Sequence, residues 1–394
     1  MKIKKMQDLD LKNKRVLVRV DYNVPTKDGR VTDDTRIQAS LPTLRHLLAA
    51  GARVILMSHL GRPKGQVTPK YSLSPVAKHL GQVLGNPVEF ASDCLGPAAA
   101  SAAQNLPPGG ILVLENLRFH PEEEKNDENF AKSLASLGEV FVQDAFGAVH
   151  RAHASTSAVT RFLPSGAGFL LQKELQFLEQ IREKPAKPYV ALVGGAKVSD
   201  KIEVLEKLLA KLDTLAIGGA MAYTFLSAMG VPVGKSLVEK DKTDLAKSLL
   251  DKAQKKNVTI LLPRDHMVVK AIEDEASAKY TDDQAIPEGL IGVDVGPKTV
   301  QRLLAPIGSA KTIFWNGPMG IFEVARYSKG TTDVAKLAAE AAGRGTVVVI
   351  GGGDSVAAVQ AAGLADKITH ISTGGGASLE FLEGKDLPGV AALA

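Results

Sequence analysis

Ten short apolar runs punctuate the chain, at 15–20, 53–57, 111–114, 139–142, 189–193, 214–217, 259–262, 312–315, 346–350 and 368–371. Most are continuous rather than alternating, as expected of strands covered on both faces. Between them the apolar spacing changes to every third or fourth residue. Ile37, Leu41, Leu44 and Leu48 share one helical face, and so do Ile202, Leu205, Leu208, Leu209 and Leu212 in a helix predicted over 199–212. Ser74-Pro75 reads as an N-cap followed by proline at the first helical position. Strand–helix alternation of this kind specifies an α/β fold with parallel sheets wound on both faces.

A chain of 394 residues is long for one such unit and suits two. The join is expected at a helix over 169–182, broken by Lys184-Pro185-Ala186-Lys187-Pro188. This gives a first domain at 1–170, a helix and hinge at 171–185, and a second domain at 186–378. The net charge of +5 lies wholly in the first: residues 1–170 hold 21 Lys and Arg against 16 Asp and Glu, and the remainder holds 27 of each. An anionic partner is therefore expected there. The single cysteine, Cys94, allows no internal disulfide and reads as a spectator thiol in a reducing compartment. The N-terminus has no apolar signal core, and no apolar run approaches the ~18 residues that span a bilayer. A cytoplasmic protein with no membrane partner is the expectation.

In open parallel sheets, ligands bind beyond the carboxyl ends of the strands. In the first half those ends carry Asp21-Tyr22-Asn23, His59-Leu60-Gly61-Arg62, Asn116-Leu117-Arg118 and, further on, His150-Arg151-Ala152-His153, with Arg36 opening a helix. Four arginines on one rim suit a small, doubly anionic ligand, because guanidinium forks bind phosphate and carboxylate bidentately. The two histidines near Arg151 lack partners at zinc-site spacing. In the second half the strand ends carry five glycine-rich turns: Gly194-Gly195, Gly218-Gly219, Gly317-Pro318-Met319-Gly320, Gly351-Gly352-Gly353-Asp354-Ser355 and Gly374-Gly375-Gly376. Such turns let backbone N–H groups reach phosphate oxygens at helix N-termini, so a polyphosphate site is expected. Asp354 is its candidate Mg²⁺ carboxylate. The segment 230–236 imitates a P-loop but has three residues between its glycines instead of four.

The runs RVDYNVP (19–25), TDDTRI (32–37), SHLGRPKG (58–65), ENLRF (115–119), DAFG (144–147), HRAHAS (150–155), GGAKVSDK (194–201), NGPMGIFE (316–323), GGGDS (351–355) and STGGGASLE (372–380) together resemble the phosphoglycerate kinase family. The resemblance implies two Rossmann-like domains, with the tail 379–394 returning to the first. It implies reversible phosphoryl transfer from 1,3-bisphosphoglycerate to ADP, giving 3-phosphoglycerate and ATP, in line and within a closing interdomain cleft. Phosphoglycerate contacts would be Asp21, Asn23, Arg36, His59, Arg62, Arg118 and Arg151. Nucleotide contacts would be Lys201, Gly292, Glu323, Gly352, Gly353, Asp354 and Ser355, with Glu323 on the ribose and Asp354 on nucleotide-bound Mg²⁺. Arg36, Lys197 and the backbone near Gly352 and Gly375 would stabilise the transferring group. Arg264-Asp265-His266 departs from the expected pattern. A monomer is expected, since domain closure is simpler without a fixed partner. An RNA-binding alternative lacks the aromatic platforms such sites use: aromatics are 5% of the chain and none clusters with the arginines.

Overall fold

The computed structural model describes residues 3–394, which divide into two compact units. One runs to Gln176 and takes in Lys385–Ala394; the other is Phe177–Gly384. The helix Phe169–Glu183 carries the chain from one to the other.

The first unit contains β1 (Arg15–Arg19), β2 (Arg53–Met57), β3 (Glu89–Ala91), β4 (Ile111–Leu114), β5 (Val140–Gln143) and β6 (Ser165–Ala167). They form one all-parallel sheet in the order β3-β4-β2-β1-β5-β6. Successive residues of a strand face opposite sides. Val16 and Val18 join Val54, Leu56, Ile111 and Val113 in one core cluster, while Leu17 joins Ile55, Met57, Leu112 and Leu114 in the other. Each such side chain contributes about 1.5–3 kcal/mol on burial. A charge in place of Leu17 would therefore break the second core at its centre. The terminal segment is tied into this unit by Gly389 N–H donating to Val149 O at 2.9 Å and Lys4 N–H to Leu393 O at 3.2 Å.

The second unit contains β7 (Tyr189–Val193), β8 (Thr214–Ile217), β9 (Thr259–Leu261), β10 (His266–Val269), β11 (Lys279–Tyr280), β12 (Ile291–Val295), β13 (Thr312–Asn316), β14 (Val347–Gly351) and β15 (His370–Ile371). Six of them make a parallel sheet ordered β9-β8-β7-β13-β14-β15, the order 3-2-1-4-5-6 of a doubly wound sheet, whose switch point falls between β7 and β13. The other three form a small antiparallel sheet, β11-β10-β12.

Several local expectations shift. The helix at Ser74 has Leu73 at its N-cap and Ser74 as its first residue. Ser72 Oγ accepts the Ser74 N–H at 3.2 Å, so the capping hydroxyl comes from two residues earlier. The helix predicted over 199–212 is a 3-10 turn, Ser199–Lys201, followed by Ile202–Leu208. Glu239 pins its start, accepting from Val198 N–H at 2.5 Å and from Ser199 Oγ at 2.5 Å. Its end loosens into three-residue bonds such as Lys211 N–H to Leu208 O, 2.8 Å. Strands β3, β6 and the antiparallel sheet were not foreseen. Strand β6 reads Ser-Gly-Ala with no β-branched residue, and its glycine lets the backbone of Lys5 approach; a methyl on Gly166 would lie 2.9 Å from the Lys5 carbonyl carbon. The departure at Arg264-Asp265-His266 is where β10 begins. Buried Asp265 accepts the Thr299 N–H at 2.8 Å and the Lys298 N–H at 2.9 Å, capping the helix Pro297–Ser309.

Candidate active site

At the carboxyl edge of the first sheet, the loops leaving β1, β2 and β4 are laced together by their own functional residues. Asp21 is buried and takes Arg36 Nη1 at 3.3 Å, and the same nitrogen donates to Asn23 O at 2.9 Å. Asn23 Oδ1 accepts the Gly61 N–H at 2.9 Å, and Gly61 O accepts from Arg118 Nη1 at 3.0 Å. Gly61 has φ +63°, and a methyl there would sit 2.3 Å from the Tyr71 ring, so this turn requires glycine. Arg118 also pairs with Glu124 at 3.3 Å. Arg62 and Arg151 are exposed on the loops after β2 and β5. Burial, then the charges of Arg19, Arg118, Arg36 and His153, hold His59 well below the ordinary histidine range. His153 is pushed down to about 3, by burial first and then by Arg19, Arg118 and Arg151. Six of the seven residues named for phosphoglycerate are thus joined by a hydrogen bond or by electrostatics. Among the described residues Arg62 makes no such tie, and it is placed by its loop. A rim in which neighbouring cations depress one another's protonation is suited to a multiply charged anion.

Sequence reasoning missed the layer beneath. Buried Asn116 staples two of the loops: it donates to Leu60 O at 2.7 Å and Tyr71 O at 2.9 Å, and accepts from the N–H groups of Leu60 and Arg118. Arg19 and Glu123 are fully buried. Arg19 lies within the quoted run at 19–25, but a residue inside an apolar strand gave no sign of pointing towards function. Glu123 carried no signal at all, as one of three consecutive glutamates.

In the second unit the five glycine turns separate into two kinds. Those after β7, β8 and β13 are packed backbone against backbone. A methyl on Gly194 would lie 2.0 Å from Pro318 O, one on Gly219 2.5 Å from Gly195 N, and one on Gly317 2.2 Å from Gly194 O. These glycines are demanded by loop packing at the switch point. The turns after β14 and β15 open helices. Gly352, at φ +94°, leads into Gly353–Ala361, and Gly374 leads into Gly375–Leu382. A methyl on Gly375 would sit 3.0 Å from Gly352 Cα, so the two helix entrances meet. Beside them Lys201 Nζ donates to Asn316 Oδ1, and Asn316 Nδ2 donates to Gly351 O at 2.9 Å. Burial brings Lys201 down to about 8, against the opposing pull of Asp200 and Asp354. Ser355 is turned inward, accepting the Gly317 N–H at 2.5 Å and donating to Gly351 O at 3.0 Å. Its buried hydroxyl fastens two loops.

Asp354 is exposed in the first turn of Gly353–Ala361, and Lys197 and Glu323 are exposed on the loops after β7 and β13. Gly292 lies on β12; its N–H donates to Ser236 Oγ at 2.9 Å, and a methyl there would meet Tyr223 Oη at 2.1 Å. The loop after β13 packs onto that strand through Ile321 N–H to Val293 O, 2.6 Å. One exposed hard carboxylate beside amide-lined helix entrances fits Mg²⁺, which takes one or two carboxylates and draws its other ligands from phosphate and water. Among the described residues, donor atoms of Asp93, Cys94 and His120 also gather within 4.8 Å of one another. There His120 Nε2 is paired with Asp93 Oδ1 at 2.7 Å, and burial pushes the Cys94 thiol up, keeping it protonated. No helix of the described residues is long and apolar enough to cross a membrane.

The comparisons agree with this geometry. The family profile described as "Phosphoglycerate kinase" matches residues 6–385. The chain belongs to the phosphoglycerate kinase family. It is 56% identical over 388 residues to the phosphoglycerate kinase of Moorella thermoacetica, covering 98% of each chain. It is 56% identical to the cytosolic phosphoglycerate kinase of Triticum aestivum, covering 98% of this chain and 96% of that one. The structure of phosphoglycerate kinase from Coxiella burnetii superimposes with a TM-score of 0.88 at 41% identity, covering 100% and 99% of the two chains. The chain is accordingly a phosphotransferase with a carboxyl group as acceptor, working in glycolytic phosphoryl transfer.

Proposed function

We propose that the first unit holds phosphoglycerate on Asp21, Asn23, Arg36, His59, Arg62, Arg118 and Arg151, and that the second holds ADP or ATP on Lys201, Gly292, Glu323 and the turn 352–355. The observation that carries this division is the meeting of the two helix entrances at Gly352 and Gly375 in one unit, with the laced arginines in the other. Phosphoryl transfer needs in-line placement, charge neutralisation and exclusion of water more than covalent help. Arg36 is held by Asp21 and Asn23 in a fixed orientation and meets the transferring group from the acid side. Lys197 and the amides near Gly352 and Gly375 meet it from the nucleotide side. Mg²⁺ held by Asp354 and the nucleotide phosphates supplies charge neutralisation on the polyphosphate. Ser355 supports that turn through its buried hydroxyl. Because the two substrates bind separate units, transfer requires hinge closure.

A coupled assay with 3-phosphoglycerate and Mg-ATP tests the reading, with activity expected and its absence overturning it. Calorimetry on variants of the full chain tests the division. Arg118→Ala should weaken phosphoglycerate and leave nucleotide affinity unchanged; loss of both affinities together would refute separate rims. A monomer in the cytoplasm completes the proposal, and a dimer mass by light scattering would refute the first part.

A further inference from the structure

Beneath the arginine rim lies a buried relay whose polarity is fixed from end to end. Glu123 is fully buried and accepts twice from Ser155: the N–H to Oε2 at 2.9 Å and the hydroxyl to Oε1 at 2.6 Å. With its proton committed to the carboxylate, Ser155 Oγ accepts from Arg19 Nε at 2.7 Å. Arg19, also fully buried, donates Nη1 to Val20 O and places Nη2 3.1 Å from His59 Nδ1. A guanidinium has five N–H donors and no acceptor. His59 Nδ1 must therefore be the acceptor, because an Nδ1–H would point one donor at another. This excludes the imidazolium and one of the two neutral tautomers, leaving the proton on Nε2.

We propose that Glu123, acting through Ser155 and Arg19, fixes His59 as the neutral Nε2–H tautomer, so that the rim offers phosphoglycerate a donor whose charge does not change with pH. The functional half of this rests on the phosphoglycerate reading above; the tautomer itself does not. Of the charged and titratable groups bearing on His59, the leading ones, Arg19, Arg118, Arg36 and His153, oppose its protonation, while Glu123 and Asp21 lie behind them, bearing on Arg19 and Arg118. Burial lowers Arg19, and the charges of Glu123 and Asp21 oppose that lowering. Glu123 and Ser155 are positioning residues. Neutrality has a use here. A histidine that titrated near pH 6.5 would make substrate affinity swing with pH. The arginines already supply the charge, so the ring is left to supply direction.

The test is ¹⁵N-labelled full-length protein without substrate, read by long-range proton–nitrogen correlation of the imidazole, with His59→Asn assigning the resonances. The expected result is a protonated Nε2 and an unprotonated Nδ1, unchanged from pH 5.5 to 8. An Nδ1–H pattern, or titration inside that range, overturns the proposal. Ser155→Ala removes the hydroxyl link. It should let His59 sample both tautomers and raise KM for phosphoglycerate about tenfold, the size of one lost hydrogen bond. Saturated kcat and the nucleotide KM should stay near wild type. Ser155→Thr restores the hydroxyl and should restore the tautomer. An unaltered tautomer in Ser155→Ala overturns the relay. If Ser155→Ala does not fold, the wild-type and Ser155→Thr spectra still decide the tautomer. A fixed tautomer in a protein that fails to bind phosphoglycerate would instead sink the rim reading and leave the relay standing.

Discussion

Each unit carries a six-stranded parallel sheet, and the carboxyl edges of the two sheets are built by opposite means. The first unit presents side chains: Arg118 and His59 follow strands, Arg36 lies in the first turn of a helix, and they are held by Asp21, Asn23, Asn116 and buried Arg19 with Glu123 behind it. The second uses backbone, with helix entrances brought together at Gly352 and Gly375. Flexible cationic side chains need a second layer of partners, because an unheld arginine loses rotamer entropy on binding. Backbone donors are already ordered by their helices, and need only the absence of Cβ where chains approach. A guanidinium's contact also strengthens with the charge that develops during transfer. The side-chain rim should therefore be the more fragile to single substitutions in rate, and the backbone rim in packing.

The largest effect should come from Arg36. Arg36→Ala is expected to lower kcat by roughly 10²-fold or more, as for loss of one transition-state donor. Arg36→Lys should recover little, since a point charge does not reproduce the planar guanidinium fork. Arg62→Ala should mainly raise KM. Equal KM effects with kcat unchanged in both would reduce Arg36 to one more anion ligand.

Next comes Asp354, the one carboxylate at the backbone rim's glycine turns. Asp354→Asn keeps the size of the side chain at the helix entrance but removes its charge. Activity should fall at least tenfold at limiting Mg²⁺ and recover in part as Mg²⁺ is raised, following one lost carboxylate ligand. A Mg²⁺ dependence identical to wild type would remove Asp354 from the metal role.

How far each rim was legible follows from the same contrast. Strands 53–57, 111–114, 189–193 and 214–217 appear where continuous apolar runs put them, because burial on both faces writes itself into every residue. The arginines were legible as residue types at strand ends. Their supports were not, because Glu123 and Asn116 look like surface residues until tertiary structure buries them. The glycines carried two meanings that sequence does not separate: Gly194, Gly219 and Gly317 are required by loop packing, whereas Gly352 and Gly374 lead into helices. A sequence records that Cβ is absent without recording what takes its place.

That distinction can be broken directly. A methyl at Gly194 would lie 2.0 Å from a backbone oxygen, whereas nothing lies within 4 Å of one at Gly353. Gly194→Ala should lower the melting temperature by several degrees, the scale of a kcal/mol or more in a domain of this size. Gly353→Ala should melt like wild type and weaken nucleotide a few-fold. Calorimetric melting and nucleotide titration of both variants would check this, and equal destabilisation would erase the division between the two kinds of turn.

The smallest effect tests a likeness between the units instead of a difference. Each buries one aspartate whose pKa burial raises to about 7: Asp144 in the first and Asp294 in the second. Asp294 Oδ2 accepts the Thr331 N–H at 3.0 Å and Oδ1 accepts the Thr331 hydroxyl at 2.9 Å, bonds that offset only part of the burial. Its unfolded value is near 3.8. Between those values the folded chain keeps a proton that the unfolded chain has lost, so folding is favoured at the acid end and this contribution is lost as pH rises through about 7. His266, on the adjacent strand β10, works in the opposite sense. Burial lowers it to about 4, so its contribution is present above 6.5 and lost as pH falls towards 4. The two slopes oppose each other in the wild type, and only the difference between variant and wild type isolates the aspartate. Asp294→Asn removes the titration while keeping an acceptor for Thr331. Its melting temperature, measured relative to wild type, should rise by a few degrees between pH 5 and 7.5. A constant offset across that range would mean that Asp294 is ionised in the folded protein throughout, held by Thr331 despite its burial.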